Sequence, residues 1–234
     1  FDWVGGVFDE QDLMRILGTN DVYPYAGHTS GARVDIPGTG IFQVSCLSPG
    51  LMSYLTYGFS EAGYDALHPP VQGEPWDIRG RVVGPQLKEL MMNYNRTMTM
   101  LLLTDDETQY HNRVDVDPIL KDEHGPIPVI HYRPSIKTLQ RRDKLAKYAS
   151  ETLRKAGAKT IIRTDTPFSF MLHLESTMRM GFVTDSQCEA YQVKRLFIAD
   201  NSVHYNGIGG PNPTLTTQAL ATRTAETIAH KYFS

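Results

Sequence analysis

Residues 209–213 read Gly-Gly-Pro-Asn-Pro, and from Thr214 the chain runs to Ser234 without another glycine or proline. The two glycines admit backbone angles and close approaches that a Cβ forbids, while Pro211 and Pro213 fix φ and remove two amide donors. A rigid turn, poor in side chains, is therefore set directly ahead of a helix. That helix carries Leu215, Ala219, Thr222 and Ala225 or Glu226 at helical spacing, with no acidic residue before Glu226. Its first turn offers unpaired N–H groups and the positive end of the helix dipole, which suits an anion or a carbonyl oxygen. The alternative is an ordinary helix start with proline near its first position.

A chain of 234 residues with 41% apolar content supports a substantial core. A net charge of −3 without long basic runs argues against a nucleic-acid partner, and Arg141, Arg142, Lys144 and Lys147 read as a solvated helix face. No apolar run reaches membrane-spanning length, and FDWVGGVF has no basic segment followed by a signal core, so a cytoplasmic location is expected. The chain opens on Phe1, which reads as a processed product or a piece of something longer. Cys46 and Cys188 are too few for a disulfide scaffold and wrongly spaced for zinc; a single disulfide between them stays open.

Residues 1–40 are rich in Gly, Asp and Pro and read mainly as loops, with one short helix around Asp9 to Leu17. The alternation of GIFQVSCL predicts a strand over 40–47, and Leu51, Leu55 and Phe59 predict a helix within Pro49 to Ala66. A short helix over Pro85 to Asn93 precedes a strand, RTMTMLLLT, over 96–104. Two apolar-rich runs around the turn Asp122 to Gly125 signal a hairpin. Ser135 to Ala156 follows as an amphipathic helix with Ile136, Leu139, Ala146, Ala149 and Leu153 inward and Gly157 at its end, and TIIR returns as a strand. RLFIAD, 195–200, reads as a buried strand; a strand ending in Asp200, then a glycine-rich turn and a helix, suits a ligand site at the carboxyl edge of an α/β sheet.

His173 sits between Leu172 and Leu174, where a lone histidine is either a satisfied core or surface residue or a base. HLEST lacks the second His four residues on that a zinc helix needs, so no metal site is expected. Three ordered segments, LHLESTMRMGF, RLFIADNS and GGPNPTLTTQALATRTAETI, together resemble the C-terminal part of the glucose-methanol-choline (GMC) family of FAD oxidoreductases, closest to its pyranose-oxidase and gluconate-dehydrogenase-like members. The resemblance covers residues 96–234, and 1–95 only loosely.

The resemblance implies an α/β chain: an α+β substrate-binding domain with an antiparallel sheet over 1–170, and a C-terminal strand and helix over 171–234 completing a Rossmann-like FAD domain. It implies FAD as cofactor and oxidation of a sugar or glycoside hydroxyl. His173 matches the base that takes the hydroxyl proton, and Asn212 the amide that holds the same oxygen. Pro213, Thr214 and Leu215 match contacts to the flavin pyrimidine edge, and Asp200 and Asn201 a pair near the ribityl and pyrophosphate chain. Two departures stand out: Ser176 where the family commonly has Gly, and the His204, Tyr205 region where it has Pro. The dinucleotide fingerprint, strand–GxGxxG–helix, is absent. The expectation is a longer or split oxidoreductase whose other half lies on a second polypeptide, with oligomerisation open. The alternatives are a binding or structural module that lost the flavin, and a flavin-fold lyase using His173 as a base.

Overall fold

The run TMTMLLLT alternates around a strand whose two faces both find cover, and it becomes a principal strand of the main sheet. In a computed structural model, residues 1–23, 30–45, 47–58, 60–63, 66–67, 69, 71–167, 171, 173–210 and 212–233 are described. They form two compact units, Phe1–Thr104 with Leu139–Phe170, and Asp105–Thr138 with Met171–Ser234. The second unit takes in Asp105–Thr138 as well as the residues from Met171 onward.

The first unit is a seven-stranded sheet. Its strands are β1 (Asp2–Val7), β2 (Ser30–Ile36), β3 (Gly40–Ser45), β4 (Val71–Gly73), β5 (Trp76–Arg79), β6 (Thr97–Thr104) and β9 (Thr160–Arg163). The order is β2-β3-β6-β1-β9-β5-β4, antiparallel throughout except for the β5–β9 pair. On one face Val4, Phe42, Met100, Leu102 and Ile161 pack against Leu145, Ala146, Ala149 and Leu153 of helix α4 (Ile136–Ala156). On the other, Trp3 packs with Leu47, Met52 and Leu55, the last two from α2 (Pro49–Ser53) and the π-helical turn that continues it over Tyr54–Gly58. Helices α1 (Glu10–Leu17) and α3 (Gly84–Met92) complete the unit.

The N-terminal forty residues are not mainly loop: β1 lies in the middle of the sheet, paired with β6 and β9. Its glycines hid it. A Cβ on Gly6 would lie 3.0 Å from the Ala158 Cβ and 3.2 Å from the Leu153 Cβ, so the strand uses glycine to let α4 and its following turn approach. The helix expected to reach Ala66 ends at Gly58, because beyond it the amides of Glu61 and Ala62 bond to the Asp165 carbonyl and carboxylate. Phe59 and Cys46 lie outside the described residues, and Cys188 is a buried free thiol.

α4 begins as expected, but Ile136 is 75% exposed and the buried stripe starts beyond it. The basic cluster on α4 is not uniformly solvated either. Arg142 is buried, and its Nη1 donates to the Thr166 carbonyl at 2.7 Å. It joins an ionic core in which the fully buried Asp2 accepts from Arg163 Nε at 2.7 Å and from the Thr166 amide at 3.0 Å. Burial alone would raise the Asp2 carboxyl, but the Arg163 and Arg142 guanidiniums more than offset it and hold its pKa down at about 2.

The second unit contains the hairpin β7 (Arg113–Asp122) and β8 (Gly125–His131), where expected, and helix α5 (Thr214–Tyr232). RLFIAD is not a buried strand. Among the described residues it makes a single bridge, Phe197 to Glu189, with Leu196 and Asp200 exposed. A positive φ of 67° at Arg195 breaks the extended run, and the Asp200 carboxylate turns the chain by accepting the Ser202 amide at 2.8 Å. The row Leu215, Ala219, Thr222, Ala225 and Glu226 is the solvent face of α5; Thr217, Leu220, Thr224 and Ile228 turn inward.

Candidate active site

α5 starts because its first residues are organised by Asn212. The Asn212 Oδ1 accepts the Thr214 backbone N–H at 3.0 Å and also the Thr214 hydroxyl. The oxygen end of that amide is thereby assigned, and the Nδ2 end points the other way, 3.2 Å from His173 Nε2. An amide nitrogen only donates, so Nε2 must accept, which makes His173 a neutral imidazole with its proton on Nδ1. Burial lowers the His173 pKa from the ordinary imidazole value, in the same direction. The two residues nominated from the sequence, 39 positions apart, are thus in contact, one with an exposed lone pair and the other with a donor beside it.

The segment that carries His173 is held in an uncommon conformation. His173 has φ 54° and Ser176 φ 72°, both in the left-handed region. At Ser176 a Cβ in this conformation costs on the order of 1 kcal/mol relative to glycine. Downstream, the amides of Ser176, Met178 and Met180 donate to the carbonyls of Asn201, Ser202 and Val203, laying the segment alongside the 3₁₀ turn 201–203.

A pocket of about 180 Å³ opens beside this segment. His173 and Glu175 line one side; Val114, Ile130 and Tyr132, from the hairpin and the residue after it, line another. Val114 and Ile130 are cross-strand partners, and the next pair on that face is Val116 and Pro128, so the hairpin presents a continuous apolar surface. The Tyr132 hydroxyl donates to Asp106 at 2.7 Å. The lining also carries Glu107, Gln109, Asn112, Arg113 and His131, so apolar surface from the hairpin meets several polar and charged groups that could orient a small molecule.

The other nominated residues lie around the same helix start. Pro213 is buried at the N-cap position, whereas Thr214 and Leu215 are exposed, the latter at 79%. No side chain caps the helix from Pro213 and no acidic residue stands in its first turn; the first intrahelical bond is Thr217 N to Pro213 O at 2.9 Å. Asp200 is an exposed carboxylate, while the Asn201 side chain is turned into the protein, its Oδ1 accepting from the Thr217 hydroxyl. No group of His, Cys, Asp and Glu among the described residues is arranged to hold a metal ion. No helix among them is long and apolar enough to cross a membrane.

Sequence reasoning missed one feature. His204, noted from the sequence as part of a departure from the family pattern, is 2% exposed and bonded at both ring nitrogens, to Glu175 and to Thr217. Its partners are 29 and 13 residues away, and no local pattern announces either.

Residues 108–221 match the family model described as GMC oxidoreductase. Over 131 residues, 53% of this chain and 24% of the relative, the sequence is 34% identical to 6'''-hydroxyparomomycin C oxidase of Streptomyces lividus. It is 31% identical over the same length and shares to paromamine 6'-oxidase of Streptomyces fradiae. It is 32% identical over 137 residues, 55% of this chain and 26% of the relative, to C-glycoside 3-oxidase of Arthrobacter globiformis. The chain spans about a quarter of the length of these curated relatives.

Proposed function

We propose, from the premise that residues 108–221 of this chain belong to the GMC oxidoreductase family, that His173 and Asn212 form the proton-accepting and oxygen-holding pair of an FAD-dependent oxidase or dehydrogenase acting on a sugar or glycoside hydroxyl. The single observation that carries this is the 3.2 Å contact of His173 Nε2 with Asn212 Nδ2, in an orientation fixed by the Thr214 amide. The names of the three relatives support the substrate class.

The chemistry follows from that contact. A hydroxyl entering between the two groups accepts a hydrogen bond from the Asn212 amide and donates one to the His173 lone pair, replacing their direct contact. His173 then takes the hydroxyl proton at Nε2 as the carbinol C–H bond breaks, and the amide steadies the charge developing on oxygen without competing for the proton. A neutral imidazole is what the step needs, and burial favours it. FAD, when bound, supplies the acceptor for the departing hydride, so the alcohol loses one proton and one hydride and becomes a carbonyl.

This chain's own residues fit that cofactor at one edge. The start of α5 carries no acidic side chain, and its leading amides, beginning with Leu215 and Thr216, precede the first intrahelical bond, which suits an electron-rich ring edge. Pro213, Thr214 and Leu215 would hold that edge, and the exposed Asp200 suits the hydroxyls of a ribityl chain. Asn201 would act through Thr217 by fixing the helix. The dinucleotide-binding half of the flavoprotein would come from outside these 234 residues.

The test is stopped-flow flavin reduction in the assembled flavoprotein. His173→Ala should slow reduction by about two to four orders of magnitude with flavin still bound. Near-normal reduction would remove the mechanism.

A further inference from the structure

His204 follows the 3₁₀ turn 201–203 and lies almost wholly inside the second unit. Its Nδ1 is 3.1 Å from Glu175 Oε2 and its Nε2 3.3 Å from Thr217 Oγ1. Glu175 is two residues beyond His173; Thr217 is in the first turn of α5, five residues beyond Asn212. Thr217 in turn reaches the Pro213 carbonyl at 3.0 Å and the Asn201 Oδ1. One imidazole therefore bridges the strand of chain that bears the base and the helix start that bears the amide.

The bridge falls where the chain needs it. His173 and Ser176 both carry left-handed backbones, and residues held in such wells persist only when their surroundings over-determine them. From Ser176 onward the backbone bonds to Asn201, Ser202 and Val203 do this. Between the two strained residues, the side-chain anchor is the Glu175 carboxylate on His204. Burial pushes the Glu175 carboxyl up and the His204 imidazole works against that, as expected of a buried acid kept serviceable by one partner.

We propose that His204 is a positioning residue: by tying Glu175 to Thr217 it sets the separation of His173 and Asn212. This rests on the reading of His173 and Asn212 as the working pair. The tether through both ring nitrogens does the positioning.

The test compares His204→Phe, Glu175→Ala and Glu175→Gln in the assembled flavoprotein labelled with ¹⁵N-histidine. The readouts are the titration midpoint and tautomer of His173 by NMR, and the rate of flavin reduction. His204→Phe and Glu175→Ala should retain flavin, raise the His173 midpoint toward the ordinary value of about 6.5 as water reaches the ring, and slow reduction by about 10- to 100-fold. Glu175→Gln, whose carbonyl can still accept from His204, should fall between the parent and Glu175→Ala in both readouts. A His204→Phe protein with an unchanged His173 midpoint and rate overturns the proposal, as does Glu175→Gln behaving like Glu175→Ala. If His204→Phe does not fold, the two Glu175 variants decide. Because the His173 midpoint and tautomer are read without turnover, the positioning stands or falls separately from the role of His173 in flavin reduction.

Discussion

The amide of Asn212 has two ends, and which one faces His173 decides whether the histidine is a base. Thr214 claims the oxygen, so the histidine meets a donor and keeps its lone pair. Asn212→Asp tests this directly. An aspartate still accepts the Thr214 amide, but its second oxygen is a negatively charged acceptor facing Nε2. His173 should then hold a proton at neutral pH, with a midpoint above about 6.5, and flavin reduction should fall by at least about 100-fold near pH 7. A ¹⁵N titration showing the parent midpoint would sink the contact between the two side chains, and a parent His173 with its proton on Nε2 would sink the assigned orientation. His173 and Asn212 were nominated together by the resemblance, and the structure places them in contact. The His204 bridge was not legible in the sequence: a lone histidine names no partner, and its contacts are made only once two distant segments lie side by side.

Periodicity exposed β6, the β7–β8 hairpin and α4, each of which keeps one consistent pattern along its length. It failed where packing overrides pattern. β1 reads as loop because Gly5 and Gly6 interrupt it, yet Gly6 is what allows a helix to lie close over the strand. Gly6→Ala should therefore destabilise the first unit by about 1–3 kcal/mol, since the new methyl meets two Cβ atoms that cannot swing aside; chemical denaturation would measure it, and an unchanged midpoint would argue against close packing there. RLFIAD failed in the opposite way: it has strand composition, but a left-handed Arg195 and the Asp200 turn deny it a ladder. The row expected on α5 misleads similarly, because two of its four inward positions are threonines whose hydroxyls reach the chain one turn back, Thr224 on the Leu220 carbonyl among them.

Across the first unit, stability has an ionic as well as an apolar centre. Asp2 ties the sheet to Arg163, 161 residues away, and its pKa falls from 3.8 to about 2 on folding. A depressed folded pKa means that the contribution is complete above pH 3.8 and is lost as pH falls toward 2, to the extent of about 2 kcal/mol. Asp2→Asn should lower the melting temperature at pH 7 and flatten its dependence between pH 4 and 2 relative to the parent; parallel melting curves over that window would contradict the burial of a charged Asp2.

The same arrangement has a consequence for biosynthesis. β1 sits between β6 and β9, so its second neighbour is made some 160 residues later. At roughly 5–20 residues per second on the ribosome, that is on the order of ten seconds or more. Until Thr97–Thr104 is made the strand lacks both neighbours, and until Thr160–Arg163 follows it lacks one, with Asp2 still waiting for its arginine. The unit is thus built around a strand whose pairing and charge are completed only by a segment made much later, and an open strand edge is a template for pairing with another chain.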